Sequence, residues 1–193
     1  VADAPLIGTP ENQAAYAMVY DFVIDGQVLA LPVAPMQVIR DRVRGELRDT
    51  LQVIPPVAVT FVRQLERFAP GETRSVTVQA TAARSDLNGA LSLIAPEGWT
   101  TTPATQAFAL PSVGDKAEAT FAVTAPERSE SVKLQVSATV GGRQFNRTPQ
   151  VVAYDHIPVQ MMQPTASLTA MSFDLEIRGK NVGFLAGAGD TTV

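Results

Sequence analysis

The sequence predicts an all-β protein, an immunoglobulin-like antiparallel β-sandwich flanked by additional β-hairpin segments. The first observation behind this prediction is the alternation in residues 131–140, where every second side chain from Val132 to Val140 is apolar. A strand with one buried face needs this period of two, because successive side chains leave the pleat on opposite sides. The second observation is that seven such strands follow one another between turn signals, as in immunoglobulin-like sandwiches. The third is that no stretch of useful length has the periodicity of an amphipathic helix.

Residues 1–54 are predicted to be the closing strands of a preceding β-domain. Asp25-Gly26 joins two β-rich runs and is a strong hairpin signal, because glycine tolerates the positive φ that a tight turn demands. Pro55-Pro56 marks the boundary, since neither proline can donate a hydrogen bond to a strand ladder. With so few strands, the segment cannot close a core of its own. Its predicted strands are 15–24, 27–33 and part of 40–50.

Residues 57–153 are predicted to form a complete sandwich. The clearest of its turn signals is Gly141-Gly142, which joins two long alternating strands as a two-residue hairpin. The apolar side of each strand should face the core, because a one-residue slip in register would turn the whole set outward. The predicted strands are 57–62, 73–83, 89–95, 105–110, 117–124, 131–140 and 143–153. The predicted core residues are Val76, Val78, Leu91, Leu93, Phe121, Val123, Leu134 and Val136.

Residues 154–193 are predicted to contain a linker and the first strands of a following domain. The run 170–177 alternates and is read as a strand, and a turn at 178–180 precedes a second short strand at 181–186. An isolated hairpin is at best marginally stable in water, so the hairpins at both ends need a surface to pack on. We expect this surface to be the central sandwich, the other terminal segment, or the same segment of a second molecule. The last case would give a homodimer through the terminal segments.

Composition restricts the function of the chain. The hydrophobic fraction of 46% and the charged fraction of 18% are those of a folded protein. The net charge of −4 gives no reason to expect nucleic acid, and no apolar run approaches the roughly 20 residues that cross a bilayer. The absence of cysteine and the single histidine, His156, exclude thiolate and multi-histidine zinc sites. We therefore expect no catalytic residue, no metal and no cofactor in this chain.

Two aromatic residues, Trp99 and Tyr154, are candidates for contact with a ligand. Either ring could act as a stacking platform for a sugar, and Tyr16 and Tyr20 are the further candidates for an exposed aromatic face. A single tryptophan among 6% aromatic residues makes a poor platform, and β-sandwiches usually hold a tryptophan against the core. We therefore favour core packing for Trp99.

Three polar motifs have both a chemical and a structural interpretation. Asp155-His156 is the one acid–histidine pair, but neighbours on an extended chain point to opposite sides, which favours a structural histidine over a general base. The arginines between positions 40 and 48 are interleaved with acids, which favours a solvated, salt-bridged face over an anion site. Gly187-Ala188-Gly189 is similar to a phosphate-binding loop but lacks the third glycine and a following helix.

Several phrases of the sequence together form a recognisable pattern: ENQAAYAMVYDFVIDGQ, RDRVRGELRDTLQVIPPVAV, APEGW, YDHIPVQ and GKNVGFLAGAGD. They resemble the region downstream of the catalytic domain in large bacterial PIG-L/LmbE-like deacetylases. The resemblance implies a zinc-dependent N-terminal domain followed by β-sandwich modules, one of them like the sandwich associated with alpha-galactosidases. The zinc-binding acid and histidine motifs of that catalytic domain have no counterpart in this sequence. No catalytic residue is therefore carried over.

The resemblance implies a non-catalytic accessory module of an N-acetyl sugar deacetylase-type protein. Such a module would space or orient the upstream catalytic domain of the same polypeptide, or contact its carbohydrate substrate. We expect an extracytoplasmic location, secreted or periplasmic, rather than a cytoplasmic one. The alternative hypothesis is a free-standing carbohydrate-binding module. The two differ in whether exposed aromatic residues line a concave face or edge of the sandwich.

Overall fold

The computed structural model describes residues 14–154, 156–157, 159–176, 179, 181, 183, 185 and 187–188. These residues form strands and turns, and none of them belongs to a helix long and apolar enough to cross a membrane. The strands are β1 (Met18–Ile24), β2 (Gln27–Val33), β3 (Met36–Asp41), β4 (Gly45–Thr50), β5 (Val57–Phe61), β6 (Leu65–Phe68), β7 (Thr73–Ala82), β8 (Leu87–Ile94), β9 (Thr100–Thr102), β10 (Gln106–Leu110), β11 (Lys116–Thr124), β12 (Glu130–Val140), β13 (Arg143–Phe145), β14 (Gln150–Val152), β15 (Gln160–Met162) and β16 (Ser167–Ser172).

Two packed sheets confirm the predicted β-sandwich. One sheet has four strands in the order β5-β7-β11-β9. The other has the order β10-β8-β12-β16-β6, with β13 paired to the end of β12 beyond β16. All ladders in the two sheets are antiparallel except the one between β16 and β6, which is parallel.

The core lies between the two sheets, on the apolar side of each alternating strand. All eight residues predicted to be buried are buried, so the predicted register of their strands is confirmed. The alternation is visible along β7, where Val76, Val78, Ala80 and Ala82 are buried and the residues between them are not. Because the inner faces of both sheets are lined in this way, the core is continuous.

The sandwich extends beyond its predicted end at residue 153. Strand β16 pairs with β12 over six residues and with β6 on its other side, and its side chains Leu168 and Ala170 are in the core. This corrects the assignment of residues 170–172 to the start of a following domain, and residues 173–176 of the predicted strand 170–177 are not in a strand. The prediction missed this because β6 is only four residues long and β16 joins the sheet after a long excursion from β13. Ile177 lies outside the described residues, and the predicted turn at 178–180 lies partly outside them.

The predicted strand at 143–153 is two strands instead of one. Strand β13 closes the hairpin at Gly141-Gly142, whose positive φ angles of 55° and 76° confirm the predicted turn. After Phe145 the chain leaves the ladder, and β14 pairs with β15 in a separate two-stranded sheet. Pro149 stands in the break, where a residue without a backbone N–H does not interrupt a ladder.

The N-terminal segment contains two hairpins, each a two-stranded sheet. The predicted hairpin β1–β2 is confirmed, with φ of 50° at Asp25 and 78° at Gly26, the left-handed pair that a tight turn of this type requires. The charged run at 40–50, predicted as one strand and a connection, is instead most of the hairpin β3–β4. Every residue of β1 and β2 is exposed. The described part of the chain therefore does not supply the covering surface that we expected for this hairpin.

Candidate functional site

Trp99 lies in the core of the sandwich, as the structural interpretation of this residue expected. Its ring is 5% exposed and meets Phe68 edge to face, with the ring centroids 5.0 Å apart. The indole Nε1–H donates a hydrogen bond of 2.7 Å to Glu130 Oε1 at the start of β12. A tryptophan in this position closes the end of the core and presents no ring face to a ligand.

Tyr154 lies on the surface, in the connection between β14 and β15. Its side chain is 63% exposed, and its ring lies 5.8 Å from the ring of His156. Asp155, the other half of the predicted acid–histidine pair, is outside the described residues. Of the two candidate aromatic residues, Tyr154 is therefore the one whose ring is accessible.

Tyr154 lines an open pocket of about 700 Å³ between its own connection and strand β4. Arg44, Arg48 and Asp49 contribute polar side chains to this pocket, and Leu47 and Ile157 contribute apolar ones. The structure thus brings the predicted tyrosine together with part of the charged run at 40–50, which the sequence did not relate to it. An aromatic ring beside planar polar groups is the combination that suits a sugar, because the ring contacts its C–H face and the polar groups its hydroxyls.

Arg48 in this pocket is already paired with an acid of its own strand. Its Nε and Nη2 lie 2.9 Å and 2.8 Å from Glu46 Oε1, and both side chains are exposed. This agrees with the salt-bridged face that the sequence favoured for the arginine-rich run. The pocket consequently offers mixed charges and not a concentrated positive one.

A second groove, of about 570 Å³, lies within the sandwich and contains a buried acid that the sequence did not single out. Glu66 on β6 is 7% exposed, and its two carboxylate oxygens face two arginines. Arg74 Nη2 lies 3.3 Å from Oε1, and Arg63 Nη1 lies 3.4 Å from Oε2. Arg74 also donates a hydrogen bond of 2.6 Å to the carbonyl oxygen of Arg67.

The Glu66–Arg74 pair joins the two sheets at an open side of the sandwich. Glu66 belongs to the edge strand of one sheet, and Arg74 belongs to the part of β7 that β5 leaves uncovered after Phe61. Inward-pointing charged residues at such a place protect a sheet edge from pairing with other chains. The four-residue run Leu65–Phe68 gave no alternation long enough to reveal the position of Glu66. We interpret this groove as a structural closure.

Catalytic metal ligands do not gather in the described residues. Among residues 14–154 and the described positions after them, no group of three or more histidine, cysteine, aspartate or glutamate side chains is placed to hold a metal ion. His156 contacts a tyrosine ring, and the Gly187-Ala188-Gly189 loop lies partly outside the described residues.

The fold defines a β-sandwich module, and comparison with known families gives a more specific likeness. Residues 68–141 match the family model described as the NPCBM-associated, NEW3 domain of alpha-galactosidase. The matched stretch runs from the end of β6 to the turn after β12 and so includes most of the sandwich, although it is less than half of the chain. A search of curated proteins found no match.

Proposed function

We propose that this chain is a non-catalytic β-sandwich accessory module of a PIG-L/LmbE-like, N-acetyl sugar deacetylase-type protein. Its partner is an upstream catalytic domain of the same polypeptide. The module spaces or orients this domain, or contacts its substrate. The observation that supports the accessory role is the match of strands β7–β12 to the model described as the NPCBM-associated, NEW3 domain of alpha-galactosidase. The deacetylase part rests on the resemblance of the sequence phrases quoted above. An extracytoplasmic location belongs to the same proposal.

An acetate-release assay tests the catalytic half of this proposal. The purified chain, incubated with N-acetylglucosamine oligosaccharides and zinc, is expected to release no acetate above a protein-free control. The full polypeptide that contains the chain is expected to release acetate, and a chelator should stop the reaction. Zinc-dependent release by the chain alone would contradict a non-catalytic role. A catalytic domain of another class upstream would contradict the assignment to deacetylases and leave the accessory role standing.

The second candidate function is that of a carbohydrate-binding module, and the exposed ring of Tyr154 is the observation that favours it. The ring lines a pocket with Arg48 and Asp49, whose planar side chains suit the hydroxyl groups of a sugar. This function requires a direct affinity of the chain for a glycan, whereas a spacer module requires none.

Affinity electrophoresis in gels that contain soluble polysaccharides separates the two candidates. If Tyr154 stacks on a sugar, Tyr154→Ala should abolish the retardation and Tyr154→Phe should preserve it. Tyr16 is the matched control, because it is a similarly exposed tyrosine on another part of the surface. Equal loss in Tyr16→Ala would indicate a nonspecific effect. Absence of retardation for the wild type in the whole series would support the spacer.

A further inference from the structure

The hairpin β1–β2 has two apolar faces, and both are uncovered. Cross-strand partners share a face, so one face carries Tyr20, Phe22, Leu29 and Leu31, and the other carries Val19, Val23 and Val28. All of these side chains are exposed. Strands that are apolar on both faces are typical of sheets covered by other layers on both sides. The hairpin therefore has the composition of a part of a larger sheet.

The two outer edges of this hairpin are not equivalent. In a two-residue hairpin the residues that flank the turn, here Ile24 and Gln27, exchange hydrogen bonds, and bonded and non-bonded pairs then alternate. The pair Val19–Pro32 is consequently a non-bonded pair, whose backbone groups point outward. Pro32 has no N–H to offer, so the outer edge of β2 is interrupted. The outer edge of β1 has a donor and an acceptor at each outward position.

Asp21 stands at the middle of the outer edge of β1, with which no other strand of the described residues pairs, and its charge restricts which strand fits there. It is directly opposite Ala30 in the hairpin, so its own backbone groups also point outward. A second copy of β1, added antiparallel over its full length, would place Asp21 beside the Asp21 of that copy. Like charges in directly opposite positions of a sheet are destabilising. A charged residue on an edge strand is also a common protection against self-pairing.

We propose that the outer edge of β1 is a docking edge for a β-strand of a different sequence, with apolar side chains on both faces and a lysine or arginine opposite Asp21. Backbone hydrogen bonds to Val19, Asp21 and Val23 hold the added strand. The ion pair with Asp21 sets its register, because a shift by one residue would turn the lysine or arginine to the face opposite that of the Asp21 side chain. This proposal rests on the register of one hairpin and is independent of the accessory function proposed above.

Peptide binding tests the proposal with the full chain. The probe is the fluorescein-labelled peptide Ser-Thr-Val-Val-Lys-Val-Val-Thr-Ser, and the matched probe has glutamate in place of lysine. By fluorescence anisotropy, the lysine peptide is expected to bind about fivefold more tightly, since opposite charges across a strand pair attract and like charges repel. Asp21→Lys should reverse this preference. Failure of both peptides to bind, or equal binding of the two, would overturn the proposal.

Two proline variants identify the edge that is used. Val23 and Val28 are directly opposite each other, so Val23→Pro removes an outward donor from β1 and Val28→Pro removes the matching donor from β2. Binding of the lysine peptide should weaken about tenfold in Val23→Pro and stay unchanged in Val28→Pro. Equal effects of the two variants would contradict the assignment to β1. Sedimentation of the wild type as a dimer that only Val23→Pro dissociates would show a second copy at this edge and also overturn the proposal.

Discussion

The sandwich and the hairpin β1–β2 contain equally regular strands but bury very different amounts of their side chains. Leu134 on β12 is 0% exposed, whereas Leu31 on β2 is 50% exposed, although both residues lie in complete antiparallel ladders. The difference is the second layer, which covers the inner face of β12 and is absent from the hairpin within the described residues. Pairing of two neighbouring segments is therefore sufficient to form strands, whereas a core forms only where a second sheet packs on the first.

The residue patterns of the two regions agree with this difference in burial. In β12 apolar and polar residues alternate, as expected for a strand with one covered face. In β1, MVYDFVI, only Asp21 interrupts an apolar run. The apolar faces of the hairpin therefore lack a covering layer among the described residues, whereas the core of the sandwich is covered by both of its sheets.

The largest effect should come from truncating the chain at the end that the sequence predicted for the sandwich. A chain that stops at residue 153 lacks β16, which lies between β12 and β6 and brings Leu168 into the core. We expect this chain to lose its cooperative unfolding transition in urea. Removal of residues 1–54 should leave that transition in place, because the hairpins make sheets of their own. The opposite result for either truncation would mean that the two regions have been divided wrongly.

A matched pair of leucine substitutions compares the two regions directly. Leu134→Ala should lower the free energy of unfolding by about 2–5 kcal/mol, because it opens a cavity in a closed core. Leu31→Ala, at a half-exposed position, should change it by less than about 0.5 kcal/mol. Urea unfolding monitored by circular dichroism gives both values. A large effect at Leu31 would reveal that the hairpin is covered in solution.

Two glutamate–arginine pairs extend the comparison to charged residues. Glu66→Ala removes the buried carboxylate that Arg74 and Arg63 share, and we expect a loss of about 1–3 kcal/mol, reduced because both arginines reach solvent. Glu46→Ala breaks the exposed pair with Arg48 and should cost less than about 0.5 kcal/mol. Similar losses in the two variants would contradict the interpretation of the groove at Glu66 as a structural closure.

The sequence predicted those parts of the fold that local patterns determine. Long alternating strands such as β7 and β12, and turns with obligate glycines such as Gly141-Gly142, were recognised together with the core residues on them. Strand β6 was missed because four residues do not establish a period. The place of β16 was misjudged because joining a sheet beside a distant strand is a tertiary choice that leaves no local signal.

The features of the candidate site also divide into those that local sequence patterns predicted and those that they did not. Core packing of Trp99 followed from the general preference of sandwiches for a buried tryptophan, and the structure confirms it. The pocket at Tyr154 could not be predicted from the sequence, because it combines the β14–β15 connection with strand β4, some hundred residues earlier in the chain. Glu66 was overlooked because a buried charge has no signature until its partners are known.

The smallest effect concerns the response of the two regions to acid, which we expect to differ. The hydrogen bonds that Glu130 accepts from Arg128 and Trp99 lower the pKa of its carboxyl group in the sandwich. The hydrogen bonds that Asp41 accepts from the backbone N–H groups of Arg44 and Val43 lower the pKa of its carboxyl group in the hairpin β3–β4.

A lowered pKa means that the folded state binds fewer protons than the unfolded chain near the pKa of an ordinary carboxylic acid. The stabilisation is therefore fully present above that range and is lost as the pH falls through it towards the pKa in the folded state. Glu130→Gln removes this contribution, so the variant should be less stable than the wild type at neutral pH, and the difference should shrink in acid. Urea midpoints measured between about pH 7 and pH 3 test this. Asp41→Asn should leave the acid response of the sandwich unchanged, because the carboxyl group lies in a hairpin whose two strands form a sheet of their own. If Asp41→Asn alters that response as much as Glu130→Gln does, the hairpin and the sandwich unfold as one cooperative unit.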